Sequence, residues 1–222
     1  MFSRLPPATR ASAAVIVLAF IAQQLWPAQM LAWFGLWPDV GTILVERTPS
    51  GPIVAEFRCW QFVSHGFLHG GFAHLFLNGL VLVMFGAVLE RLWGSARFTL
   101  FFLACVVGGG LAQWWWTSAP VGNEVTVTLG ASGGLFGVLG AFALMFPRQR
   151  LLLIFPPIPM PAWLLVSLFV VASTIMGVTG LVDGIAHFAH LGGIATGVVL
   201  YVLVARHWRR PAVATRATFP ET

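Results

Sequence analysis

The chain has 222 residues, 58% hydrophobic and only 9% charged, which excludes an ordinary soluble domain. Its net charge of +5 comes from twelve arginines and no lysine; these sit beside apolar spans, so they fit orientation in a membrane better than nucleic-acid binding. Cys59 and Cys105 show no CxxC spacing and imply neither a disulfide framework nor a metal site.

In chain order, Arg4 and Arg10 precede an apolar stretch from Ala11 to Leu36. It is read as a retained first helix, because it is long and lacks a small-x-small cleavage site. Gln23-Gln24 weaken it mid-way, and it should end near Trp37-Pro38. Residues 38–61 form a polar connection with Asp39, Glu46, Arg47, Glu56 and Arg58, and Trp33, Trp37 and Trp60 suit a segment at the membrane interface. A second span runs from Phe72 to Leu89 and stops at Glu90-Arg91. The third, Phe98 to Thr117, contains Gly108-Gly109-Gly110 and leads into polar residues 118–130 with Asn123 and Glu124. The fourth, Ala131 to Phe146, closes on Pro147-Arg148-Gln149-Arg150. Residues 151–161 carry four prolines and read as a stiff surface loop. Ala162 to Gly180 and Ile185 to Ala205 are the fifth and sixth spans.

The expected fold is therefore all-α: six transmembrane helices in one domain over residues 1–205, with a basic, disordered tail at 206–222. Six spans put both termini on one side. That side collects ten arginines and two acids, against two arginines and five acids opposite, so the termini should be cytoplasmic.

Ionisable groups at membrane depth are costly and mark functional hypotheses. His74 and Asn78, four apart, share one face of the second span; gluing the bundle by interhelical hydrogen bonds is the other reading. His65 and His69 precede or cap that helix and read as structural. Ser132 opens the fourth span, where capping the helix is the alternative. Gly130-x-Ser132-x-Gly134 matches the nucleophile elbow of soluble hydrolases, but no strand precedes it. The span itself is more informative: its sixteen residues cover roughly 24 Å of a hydrocarbon core of about 30 Å, so Ser132 should lie below the surface. Backbone there must line a watered, protein-enclosed cavity.

His187 and His190 lie about one turn into the sixth span. His190, Gly193 and Gly197 fall on one face, and Gly133 with Gly137 forms a matching stripe after the serine. Two such stripes let helices four and six approach closely, which brings His190 to Ser132 and leaves His187 auxiliary. A serine against a neutral imidazole is a base-activated nucleophile. Asp183 is seven residues before His190 and is expected in a loop, so a dyad is expected, with the ring of Phe136 available to hold the imidazole. Oxyanion donors would be the Ser132 backbone N–H and the side chains of His74 and Asn78. The residues alone point to acyl transfer or hydrolysis within a membrane. A histidine-ligated haem or metal protein, a transporter, or an inactive protein that binds membrane helices are the competing classes. No HExxH is present.

Three motifs in order, His65-x3-His69-x4-His74-x3-Asn78, Gly130-Ala131-Ser132-Gly133 and Ala189-His190-x2-Gly193-x3-Gly197, resemble the rhomboid family of intramembrane serine proteases over roughly residues 55–200. The resemblance implies cleavage of single-pass membrane proteins in or near their transmembrane segments. It makes Ser132 the nucleophile and His190 the base, puts His74 and Asn78 at the oxyanion, and calls for no metal or cofactor. It also implies that the fifth helix and the 181–186 loop act as lateral gate and cap. Gln61 follows Trp60 where many relatives carry arginine, and Phe136 stands where some have tyrosine. With no soluble domain added, the chain is similar to a minimal six-helix bacterial form. The expected location is a bacterial inner membrane, with the site opening to the extracytoplasmic side.

Overall fold

The computed structural model describes residues 5–119, 125–152, 157–181 and 184–208. Asn123, Glu124 and Asp183, Arg4, Arg209, Arg210 and Arg216, and most of the expected tail lie outside them.

Helix α1 spans Pro7–Leu25 and α2 spans Pro27–Phe34. The expected single helix is thus broken at Pro27, which lacks an N–H and crowds the preceding turn; Pro7 likewise starts α1, four residues before Ala11. The connection is not featureless either: β1, Ile43–Thr48, pairs antiparallel with β2, Gly51–Ala55. Helix α3, Gln61–Ser64, and a 3₁₀ turn at His65–Phe67 then lead to α4, Phe72–Trp93, whose middle, Leu82–Gly86, is a π-helical turn. Next come α5 (Ser95–Ser118) and α6 (Ser132–Met145). A short β3–β4 pair, Arg150–Leu152 with Pro159–Pro161, stands within the stretch expected as a loop. Helices α7 (Ala162–Thr179) and α8 (His187–Leu203) follow.

Among the described residues, four helices (α1, α4, α5 and α7) are long and apolar enough to cross a membrane, while α6 and α8, also apolar, have 14 and 17 residues. The chain is thus a mostly helical, multi-pass membrane protein. Its outer helices turn large apolar side chains outward, Leu18 being 65% and Val178 66% exposed. Such faces suit lipid and not water.

Glu90 does not end the second span as expected. It lies inside α4, is 2% exposed, and meets four donors. The backbone N–H groups of Ala8 and Thr9, the Thr9 hydroxyl and the Ser95 hydroxyl all reach its carboxylate at 2.6–2.7 Å. Two of these are first-turn N–H groups of α1, which no helix can satisfy for itself. A carboxylate there also complements the helix dipole. Glu90 is therefore a cap for α1 supplied from another helix.

The centre of the bundle is α5, α6 and α8, packed with Phe98, Phe102 and Cys105 against Leu135, Val138 and Ile194. Glycine dominates the contact. A Cβ on Gly193 would overlap the carbonyl of Gly133, and one on Gly197 would overlap that of Gly137. The expected pairing of the two stripes is observed. The glycines of α5, to which the sequence pattern assigned no partner, join it. A Cβ on Gly109 would lie 2.6 Å from the Ala189 carbonyl, and one on Gly192 would lie 2.6 Å from that of Gly108. Backbones this close gain dispersion that side chains would otherwise supply.

Candidate active site

The 125–129 segment approaches α6 through Leu36 and Thr128, whose backbones exchange hydrogen bonds of 2.9 and 3.0 Å. Gly130 then turns the chain with φ +118°, and a Cβ there would lie 2.6 Å from His74 Cε1. Glycine is required at this position both for its backbone angle and for the space. Ala131 occupies the N-cap position without a side-chain bond, and Ser132 is the first helical residue. The serine hydroxyl does not cap the helix. It lies 2.9 Å from His190 Nε2.

Gly133 and Gly137 let α8 close until this contact forms, and two further devices orient the imidazole. The Phe136 ring stacks on it, with centroids 4.2 Å apart and planes at 7°. Gln113 of α5 accepts the Ala189 N–H at 3.1 Å, which fixes the first turn of α8 immediately before His190. His187 is the first residue of α8 and not one turn in; its ring meets that of His190 edge-on at 6.3 Å.

His74 and Asn78 line the same cavity of about 800 Å³ as Ser132 and His190. The Gly70 N–H donates to His74 Nδ1 at 3.4 Å, which leaves the proton on Nε2. A Cβ on Gly130 would lie 2.7 Å from that Nε2 and 3.7 Å from Ser132 Oγ, so both groups flank Gly130 in this cavity. Asn78 is turned the other way: its Nδ2 donates to the His74 carbonyl at 2.9 Å, within its own helix.

Three glutamines hold this arrangement; the sequence marks Gln23 as a weak point and Gln61 as a departure from relatives, while Gln113 carries no mark there. Gln23 clamps the His69 backbone, donating to its carbonyl at 3.0 Å and accepting its N–H at 3.1 Å. Gln61, fully buried, accepts the Trp37 and Arg58 N–H groups and donates to the Glu56 carbonyl at 3.0 Å. It anchors the first loop from the position where arginine was expected. With Gln113 they form a set whose signal was available: an amide in an apolar helix must find a partner.

His65 lies outside the spans and is 2% exposed, with Nδ1 2.7 Å from the Gln61 carbonyl and its own carbonyl accepting the Gly130 N–H at 2.9 Å. Burial pushes its imidazole down from 6.5 to about 4, and it does the same to His69, where His74 adds to the effect. Both rings are therefore neutral at pH 7, and the unfolded chain takes up their protons first. Folding stability should fall as pH drops below about 6.5 and go on falling to about 4. Thermal unfolding across that window should show this slope, and His65→Gln should flatten it; an unchanged slope would clear His65 as a titrating group.

Residues 56–207 match the rhomboid domain of the Rhomboid family, well over half the chain. The chain belongs to the rhomboid family. It is 35% identical over 160 residues to the mitochondrial Rhomboid protein 1 of Saccharomyces cerevisiae, covering 64% of this chain and 46% of that protein. It is also 28% identical over 178 residues to Rhomboid protease GluP of Bacillus subtilis (80% and 32%). Rhomboid-type serine protease 2 of Emericella nidulans is 32% identical over 162 residues (68% and 28%). The chain thus spans less than half the length of these rhomboid relatives. Two of these three relatives are named proteases. Among the described residues, no group of three or more His, Cys, Asp or Glu is arranged to hold a metal ion.

Proposed function

We propose that this rhomboid-family chain is an intramembrane serine endopeptidase that hydrolyses peptide bonds in or near the transmembrane segments of single-pass membrane proteins. The observation that carries the reading is the 2.9 Å contact between Ser132 Oγ and His190 Nε2 at the wall of a cavity inside an apolar bundle. In the proposed reaction His190 Nε2 takes the hydroxyl proton while Oγ bonds to the scissile carbonyl carbon. The carbonyl π pair moves to oxygen, where the Ser132 backbone N–H, unpaired at the helix start, and His74 Nε2–H donate to it. The C–N bond then breaks, and the amine leaves with the proton from the imidazolium. Water repeats the sequence on the acyl-enzyme and frees Ser132. In the present structure Asn78 would contribute through its second amide proton, the first being bonded to His74. No cofactor enters this scheme.

The reading includes six membrane-crossing helices, with α6 the one most enclosed by the others. It also has cytoplasmic termini and a site open to the extracytoplasmic side of a bacterial inner membrane; the uneven arginine distribution supports the orientation. Helix α7 and the loop before α8 would admit substrate. In its support, the Phe169 ring of α7 meets that of Phe136 edge-on at 5.5 Å, and Gly184 and Ile185 edge the cavity.

The test is a fluorophosphonate probe followed by intact mass. Wild type should gain one phosphonyl group with loss of fluoride, and Ser132→Ala none. Equal labelling of Ser132→Ala would refute the nucleophile. His74→Ala should lower kcat by about 10²–10³ with KM little changed, as for loss of one oxyanion donor. A change confined to KM would remove His74 from that role.

A further inference from the structure

A second groove, of about 710 Å³, lies away from Ser132 between α1, α2 and the α3 turn. Its walls are apolar, including Val15, Ala19, Met30 and Phe67, and its size falls in the ~300–1,000 Å³ range of ligand sites. Ser64, its one hydroxyl, is already committed to the Phe34 carbonyl at 2.9 Å. Trp33 and Trp60 form the rim, stacked at 6.4 Å and 13°, and the Trp60 indole N–H donates to the Trp33 carbonyl at 3.0 Å.

Arg58 lies over this rim. Its Cζ is 4.2 Å from the centre of the Trp33 ring and 5.4 Å from that of Trp60. The guanidinium face is thereby used and its edge is not: among the described residues its side-chain N–H groups make no hydrogen bond or ion pair. A guanidinium edge presents planar donors that match an oxyanion two at a time. Stacking on indoles fixes that edge in advance, so less freedom is lost when the oxyanion arrives.

A ligand that satisfies both features has an oxyanion at one end and hydrocarbon at the other. Two tryptophans at the junction are what a membrane interface selects. We propose that this groove holds one anionic phospholipid, with its phosphate on Arg58 and an acyl chain between α1 and α3. The uncompensated charge of Arg58 favours a lipid of net charge −1 over a zwitterionic one. This site is independent of the chemistry at Ser132.

The test uses the whole chain in mild detergent and counts retained lipid by native mass spectrometry. Phosphatidylglycerol and phosphatidylcholine with the same chains are added separately. Wild type should retain one phosphatidylglycerol in preference, and Arg58→Gln should lose that preference by about tenfold. Arg58→Lys keeps the charge without the planar edge and should fall between them, which serves if Arg58→Gln does not fold. Ala19→Trp, which fills the groove, should weaken retention of both lipids. Arg47→Gln removes an exposed charge from the same loop and should behave as wild type. Undiminished preference in Arg58→Gln would overturn the proposal, as would equal loss in Arg47→Gln. So would displacement of the lipid by an equal concentration of inorganic phosphate, since the groove would then add nothing.

Discussion

Ser132→Ala and His190→Ala are each expected to lower kcat/KM on a single-pass substrate by roughly 10⁴-fold or more, and the double variant to be little slower than either alone. Each residue is inert without the other: the hydroxyl needs a base in contact, and the base at 2.9 Å serves nothing else in this cavity. Groups that act as one unit lose their whole effect at the first deletion, so the losses should not multiply. The measurement is cleavage of one substrate by the four proteins in the same detergent, with melting temperatures taken to exclude unfolding. A single variant within about tenfold of wild type would sink the dyad, and losses that multiply would show the two residues acting separately. Phe136→Leu gives a graded case. It removes the ring stacked on the imidazole but leaves Ser132 untouched, so kcat should fall while phosphonylation of the serine slows in parallel.

Gly193→Leu is expected to destabilise the folded bundle by at least about 3 kcal/mol, the upper end of overpacking effects. The obstacle is the Gly133 carbonyl, a backbone group that cannot swing aside, and Gly133 adjoins Ser132. If any protein folds, α6 and α8 must separate and the serine must leave the histidine, so activity should fall further than stability. Gly140→Ala provides the contrast on the same seam. Its Cβ would meet Val198 and Ile194 at 3.5 Å or more, an ordinary contact, and should be tolerated within about 0.5 kcal/mol. Denaturation in mixed micelles compares the two. Equal tolerance of both substitutions would mean that close backbone approach is not what holds α6 to α8.

The pairing of Ser132 with His190 was legible because glycine spacing encodes a helix face, and close approach needs glycine on both partners. His190 could be separated from His187 for that reason alone. Other features depended on partners distant in sequence. Glu90 looked like a helix stop because a charge in an apolar run usually is one; its acceptance of α1's first-turn donors requires knowing that Ala8 and Thr9 lie alongside. The two-strand pairing at 43–55 was hidden by the charges of its exposed face. The break at Pro27 is hidden in the sequence because the apolar run continues past it. Asn78 shows the limit of helical spacing. The i, i+4 relation put it on the face of His74, as observed, but could not say that its amide would bond back along the helix.

The seam that joins α5, α6 and α8 has a kinetic consequence. Side chains in most cores can change rotamer, and such hops are how packed elements adjust to a ligand. A contact made of glycine Cα atoms and carbonyls has no rotamers. At the α6–α8 crossing, nucleophile and base are therefore mounted on a contact with no side chain to reorient on the nanosecond scale. Any adjustment to an incoming chain has to be made by the opposite walls, α4 and α7, where side chains form the contacts. Relaxation measurements should find backbone order at Gly133 and Gly193 insensitive to an occupied site, with the change carried by Phe169 and Leu77.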